Sequence, residues 1–346
     1  MITLKDIATA SGVSAATVSY VMNRCDNVKI SAATRRKVLA AAKRLGYAPN
    51  ELARSVRRGY SNVIALVSAT GLASDYFYNI FNSICRTATK HDFAVKVYSL
   101  ENDAPAALKM LVEQRVAGVI FHTADFNNCR TLALELQKRG VPIAAVNCRA
   151  TIPDCPSFAS DDRQGAREAV RCLYNAGCRR IACMTHEGEF DYIRLRNEGY
   201  LEAMRELMPE KTPFFIENTG CDRHSLRKLL KNRKKRPDGI FCIADGHAFQ
   251  LYQLVYELGI KIPEELSIVG FGDLSGASTA MVPLTTVQQA FEGMGHLAAE
   301  AVIAAAGSGK KMGSETVELP ASVLMRNSVK NELPRSKQRE TGKPKQ

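Results

Sequence analysis

Apolar residues recur at helical spacing three times within the first 47 positions. Leu4, Ile7 and Ala8 form one face, and Thr3-Leu4-Lys5-Asp6 has the capping-box pattern, a hydroxyl followed three residues on by an acid. Gly12 punctuates a turn. Ser14 is placed to cap a second helix in which Val18, Val21 and Met22 face inward, turning Ala15, Ala16, Ser19 and Tyr20 outward. A third helix is predicted from Ala32 to Leu45, capped by Ser31 and stopped by Gly46, with Val38, Leu39, Ala42 and Leu45 on one face. The pattern reads as a helix-turn-helix backed by a third helix. Its second helix fits the DNA major groove, where N-terminal residues meet base edges. An ordinary surface helix pair has the same spacing, so the pattern alone leaves that alternative open.

From Ser61 the rhythm changes to alternating strands and helices. Buried strands are predicted at Val63–Val67, Phe93–Tyr98, Gly118–Phe121 and Ile143–Val146. A second round begins near Phe158, with a helix from Asp161 to about Gly177 and strands at Arg180–Met184, Phe214–Ile216, Gly239–Ile243 and Ser267–Gly270. Two successive βα sets predict two doubly wound sheets, with ligands held at the carboxyl ends of the strands in the cleft between lobes. Between head and body, Pro49 to Gly59 is a basic linker with helical potential. The expected fold class is α plus α/β: a three-helix head over residues 1–47, a hinge helix or linker over 48–60 and a two-lobed body over 61–330. Residues 331–346 form a basic tail without apolar period, expected to be disordered. The basic run Arg227–Arg236 reads as the solvated face of a helix.

Charge sharpens this division. The net charge is +12, and residues 1–60 hold eleven Lys/Arg against three acids, so +8 of it lies in the head and linker. A basic module on a near-neutral body is the footprint of a polyanion binder. Hydrophobic residues at 46% and charged residues at 24% suit a soluble globular chain. The ten cysteines include no Cys-x-x-Cys pair and read as thiols in a reducing compartment. No run approaches the roughly 18 apolar residues of a membrane span, so a cytoplasmic protein without membrane contact is expected.

The chain resembles the LacI/GalR family of bacterial transcription repressors. In the head the resemblance rests on Leu4-Lys5-Asp6-Ile7-Ala8, Gly12-Val13-Ser14, Thr17-Val18-Ser19, Asn23, Thr34-Arg35, Leu45-Gly46-Tyr47, Pro49-Asn50 and Ala53-Arg54-Ser55. In the body it rests on Val116-Ala117-Gly118-Val119-Ile120, Asp161-Asp162, Arg194-Leu195-Arg196, Pro237-Asp238-Gly239-Ile240-Phe241, Val269-Gly270-Phe271 and Pro283-Leu284-Thr285-Thr286-Val287 with Gln289. The body is similar to a periplasmic-binding-protein-type effector domain. The resemblance implies lobe crossings near 157–160, 285–290 and 313–316, giving a first lobe of about 61–157 and 288–313 and a second of about 158–287 and 314–330.

The resemblance also implies site residues. DNA would be met by Ser14, Ala15, Ala16, Thr17, Ser19, Tyr20, Asn23, Arg24, Lys29 and Thr34, and by the hinge residues Asn50, Ala53, Arg54, Ser55 and Val56. Val56 stands where the usual minor-groove wedge is Leu, and Tyr20 where most relatives carry Arg. An effector would be met by Phe77, Tyr78, Asn147, Arg149, Arg196, Asp245, Asp273 and Phe291. Asn147, Ala244 and Gly272 replace an Asp, an Asn and an Asp of sugar-binding members, which removes hydroxyl acceptors. Two arginines with fewer acids would suit a phosphorylated or acidic sugar; the bland alternative is that they are structural ion-pair partners.

The expected function is therefore a repressor. It would bind a pseudo-palindromic double-stranded DNA operator as a homodimer, under control of a small-molecule effector that is a sugar, a phosphorylated sugar or a related metabolite. No cofactor, metal or catalytic residue is expected. A solute-binding transport receptor shares the body but not the head. An enzyme would need a nucleotide-binding or nucleophile motif, and no Gly-x-Gly-x-x-Gly, Walker A or Gly-x-Ser-x-Gly occurs. His122, His186, His247 and His296 read as isolated residues.

Overall fold

The computed structural model describes residues 2–22, 28–47, 55, 59–70, 72, 75–100, 104–217, 223–309 and 311–330. It divides into two compact units, Met1–Ser61 and Asn62–Gln346. Among the described residues no helix is long and apolar enough to cross a membrane. The tail and most of the hinge lie outside the described residues.

The first unit holds α1 (Leu4–Ser11), α2 (Ala15–Met22) and α3 (Ala32–Arg44). The capping box forms. Thr3 Oγ1 accepts from the Asp6 N–H at 3.4 Å while Asp6 Oδ2 accepts from the Thr3 N–H and the Thr3 hydroxyl, each at 2.8 Å, and the two bonds to Oδ2 hold the Asp6 carboxyl below its ordinary pKa. Ser14 Oγ accepts from the Thr17 N–H and Ser31 Oγ from the Thr34 N–H, each at 3.1 Å. Ile7, Val18, Val21, Val38, Ala41 and Ala42 form the core. Leu39, expected inward, is 48% exposed, because the inward phase of α3 runs through Val38, Ala41 and Ala42.

The second unit holds two six-stranded sheets. The first lobe takes β1 (Val63–Ser68), α4 (Asp75–Lys90), β2 (Ala94–Ser99), α5 (Ala104–Glu113), β3 (Gly118–His122), α6 (Asn127–Gln137), β4 (Ile143–Val146) and β5 (Ser157–Ser160). The second takes α7 (Asp162–Asn175), β6 (Ile181–Thr185), α8 (Asp191–Leu207), β7 (Phe214–Glu217), α9 (Arg223–Lys231), β8 (Gly239–Cys242), α10 (Asp245–Glu257), β9 (Ser267–Gly272), α11 (Ser275–Thr279) and β10 (Thr285–Gln288). Then α12 (Phe291–Ala305) and β11 (Thr316–Leu319) return to the first lobe, and β12 (Ser322–Leu324) closes the second. Strand order is β11-β5-β4-β3-β1-β2 and β12-β10-β9-β8-β6-β7, parallel except for the β10–β12 pair. Two expected boundaries therefore move. Residues 158–160 and 316–319 pair in the first sheet, so the lobe limits of about 157 and 313 shift to after Ser160, at the end of the expected 157–160 crossing, and after Leu319, beyond the expected 313–316.

Packing between α7 and α8 is tight at Gly199. A Cβ there would sit 2.2 Å from the Arg163 carbonyl oxygen and 2.9 Å from Ala166 Cβ. Backbone cannot give way as a flexible side chain can, so Gly199→Ala is expected to cost about 1–3 kcal/mol. The check is a lowered thermal midpoint of the body, with α1–α3 helicity and DNA retention intact.

Candidate functional site

In the head, α2 presents Ser14, Ala15 and Ala16 exposed at its start, Thr17 and Ser19 half-buried, and Tyr20 40% exposed one turn on. Lys29 is exposed, and Thr34 is half-buried against the Ser31 cap. Inward Val18 and Val21 fix this rotation, so the outward face follows from the core. Asn23, Arg24, Asn50, Ala53, Arg54 and Val56 lie outside the described residues. Ser55 is described, and its carbonyl accepts the Gly59 N–H at 2.8 Å.

In the body, the carboxyl ends of both sheets face one interlobe region centred on Arg196. Its side chain is 6% exposed and projects from α8. Nε and Nη2 donate to Asp162 Oδ1 at 2.9 and 2.7 Å, Nη1 to the Ile243 carbonyl at 2.6 Å, and Nη2 to Gln289 Oε1 at 3.4 Å. The guanidinium lies 3.6 Å over the Phe271 ring and 5.0 Å from that of Tyr192. Arg149 is also engaged, with Glu318 Oε1 at 2.8 Å, Asp162 Oδ2 at 3.5 Å and the Ser160 carbonyl at 3.0 Å. Asp162 thus serves both arginines, and the positive charge expected to await an anion is matched within the protein. Buried Gln289 also accepts from Ser160 Oγ at 3.0 Å, which ties two crossing segments together.

The acids carried over from the resemblance have internal partners. Asp245 is fully buried at the start of α10. Its Oδ1 accepts from Thr286 Oγ1 at 2.6 Å and its Oδ2 from the Leu274 N–H at 2.8 Å; burial raises its pKa against those bonds. Asp273 accepts from Arg326 Nη2 at 2.6 Å and Gln288 Nε2 at 2.7 Å. Asn147 adopts φ of 63°, a left-handed conformation that Asn tolerates well.

The aromatic assignment shifts by one residue. Phe77 turns into the first-lobe core with Ile80 and Ile84, stacked on Phe81 at 5.7 Å, because helical phase places it there. Tyr78 is 63% exposed. The aromatic that reaches the second lobe is Tyr76, which meets Phe291 edge-on at 5.4 Å. A Cβ on Gly272, where φ is 135°, would lie 3.0 Å from the Tyr76 hydroxyl. Burial pushes the Tyr76 phenol up to about 12. Asp75 makes a second lobe-to-lobe contact, its Oδ2 accepting from the Ser275 N–H at 2.6 Å. The position lacking the family Asp is thus filled from the opposite lobe, and Ala244, lacking the family Asn, is the N-cap of α10 without a side-chain cap.

The histidines are not all isolated. His186 and His247 meet with ring centroids 5.0 Å apart. His122, at the carboxyl end of β3, has Nδ1 3.1 Å from Ser68 Oγ, and burial holds its pKa down to about 4. Asp162, Gln289, Tyr76 and the His186–His247 pair went unassigned from sequence. The one signal available was Asp161-Asp162 at a helix start followed by Arg194-Leu195-Arg196.

Residues 3–50 match the model of bacterial regulatory proteins of the lacI family, and residues 170–329 that of a periplasmic binding protein-like domain. The chain is 30% identical over 343 residues to the sucrose operon repressor of Escherichia coli, covering 95% of this chain and all of that one. The chain belongs to the LacI family. Two solved structures share the fold of this LacI-family chain. A lac repressor dimer bound to operator and the anti-inducer ONPF matches with TM-score 0.73 and 24% identity over 94% of this chain and 98% of that one. A complex of the transcriptional regulator CelR with cellobiose matches with TM-score 0.65 and 24% identity over 95% and 100%. The LacI-type architecture of a helix-turn-helix head and two parallel-sheet lobes is present throughout, and relatives of this family are repressors rather than enzymes.

Proposed function

We propose that this chain is a sequence-specific transcription repressor acting in the cytoplasm as a homodimer on a pseudo-palindromic operator. A sugar or sugar-derived effector between the lobes controls it. The observation that carries the reading is the capped α2, whose buried Val18 and Val21 set Ser14, Ala15, Ala16 and Tyr20 on one open face of a basic module. Thr17, Ser19, Asn23 and the hinge residues Asn50, Ala53, Arg54, Ser55 and Val56 extend that interface; Arg24, Lys29 and Thr34 meet the backbone. The effector reading draws on the engaged Arg196 between the lobes, with Arg149 sharing its Asp162 partner, on Phe291 and Asn147 as positions the resemblance assigns, and on the cellobiose held by CelR.

The test is selection of host genomic fragments by the purified protein at fixed salt, since phosphate contacts make affinity salt-dependent. One enriched palindrome, its retention altered by an added sugar, is the expected result. Retention without any sequence preference overturns the reading. Within the same selection, Tyr20→Arg is expected to shift preference toward guanine at one symmetric position by about 1–3 kcal/mol per half-site, because Arg reads guanine bidentately and Tyr does not. An unchanged motif would remove Tyr20 from the readout.

A further inference from the structure

Two imidazoles meet at the rim of the second lobe. His186 follows β6 and His247 lies in the first turn of α10, their rings edge to face at 88°. His186 Nε2 is 3.2 Å from the Tyr192 hydroxyl. Nδ1 of both residues is buried and has no hydrogen-bond partner among the described residues. The Met184 carbonyl lies near the His247 ring and favours its charged form while also accepting the Ile243 N–H at 3.0 Å, so it reaches the His247 side of the pair and not His186. Beside the pair, α10 begins at Ala244 with no side-chain cap, so the positive end of a thirteen-residue helix has no acceptor from its N-cap side chain.

We propose that His186, His247 and the start of α10 form an anion-recognising subsite that takes a carboxylate or phosphate of the effector, with uptake of a proton on binding. The inference rests on reading the interlobe region as the effector site. It does not need a free arginine: Arg196 and Arg149 are both committed to Asp162. Orphaned buried ring nitrogens are costly to leave unmade, and an anion oxygen supplies the missing acceptor.

The surrounding charges set the sign. Arg196 and Tyr192 face the pair from α8, and Asp162 from α7 is spent on Arg196. Asp245 of α10 is held by Thr286 and the Leu274 N–H, Tyr76 approaches from α4, and Glu187 and Glu189 are exposed in the loop of His186. Burial and the Arg196 charge lower the pKa of His186. Burial, His186 and Arg196 bring His247 down to about 4. Both rings are therefore neutral in the empty site. An anion beside them reverses that preference, so a proton from solvent joins the complex and affinity rises as pH falls. A neutral sugar has no such linkage.

The experiment titrates the full chain with D-gluconate, D-glucuronate and ribose 5-phosphate, and with D-glucose and D-ribose, by calorimetry at pH 8 and pH 5.5. Two buffers of different ionisation enthalpy report proton uptake. Binding of a sugar acid or sugar phosphate that strengthens roughly ten-fold across that range, with a slope flattened in His247→Gln, supports the proposal; which anions bind separates carboxylate from phosphate. Binding of a neutral sugar without pH slope overturns the subsite and leaves the effector reading standing. Failure of these probes and of a whole-cell metabolite extract to bind overturns both. The wild-type slope decides the matter even if His247→Gln folds poorly.

Discussion

Ile7→Ala is expected to abolish operator binding while leaving the body folded. Ile7 is fully buried in a core that has five other buried hydrophobic residues among those described. Removing its branched side chain costs about 2–5 kcal/mol in a packed core. A module of some 60 residues holds about 3 kcal/mol in reserve at about 0.05 kcal/mol per residue, so the upper part of that cost leaves it mostly unfolded, and two such heads must fold to grip one operator. The folded fraction of the head then falls, and apparent affinity falls with it. Fluorescence anisotropy with the selected operator should show at least a hundred-fold loss, equivalent to about 3 kcal/mol. Ile7→Val, costing about 0.5–1.5 kcal/mol, should retain binding. The body, a separate compact unit, should melt unchanged. Full affinity in Ile7→Ala would show that the three-helix core is not what holds α2 to its task.

The second large effect is expected at Asp162. Its carboxylate is 5% exposed and faces two guanidiniums, with Arg196 doubly bonded and Arg149 at 3.5 Å. Asp162→Ala leaves Arg196 buried between the Phe271 and Tyr192 rings with, among the described residues, the Ile243 carbonyl and Gln289 as neutral acceptors and no counterion in contact. Breaking a buried pair from one side costs about 3–5 kcal/mol, because a charge remains without its counterion. For a domain of this size each kcal/mol shifts the midpoint by about 2–4 °C, so the body should melt roughly 10 °C lower. Replacing Asp162 and Arg196 together by Leu should recover part of that loss. If the double replacement is as destabilised as Asp162→Ala, the packing around Phe271 rather than the ion pair sets the stability.

The head was legible because its determinants are local. A capping box, a Ser at each of two helix starts and an apolar phase lie within ten residues of what they organise. The central strands were legible because strands covered on both faces read as unbroken apolar runs, as in Ile64 to Val67 and Val119 to Phe121. Ser157–Ser160 is not such a run, and β11 and β12 are short strands at sheet edges with partly exposed residues. Their sheet membership depends on pairing with distant partners, which is why the lobe limits at these strands fall short of their ends. The site divides in the same way. Arg196 was placed by its motif, but that its charge is spent on Asp162 depends on how α7 packs on α8. Phe77 and Tyr76 exchange roles because one residue of helix changes direction by a quarter turn or more. The His186–His247 pair exists only because β6 and β8 are neighbours.

The Tyr76–Gly272 contact bears on how this protein could diverge. The bare backbone at Gly272 in one lobe and the ring of Tyr76 in the other are a lock and its key cut on separate halves. A lobe transplanted from a relative with an acid at the first position would press on the tyrosine hydroxyl, 3.0 Å from a Cβ there, in a backbone region that side chains rarely adopt, and one lacking the tyrosine would leave a gap beside Phe291. Chimeras joined at the crossing segments should therefore be less stable unless residues 76 and 272 travel together.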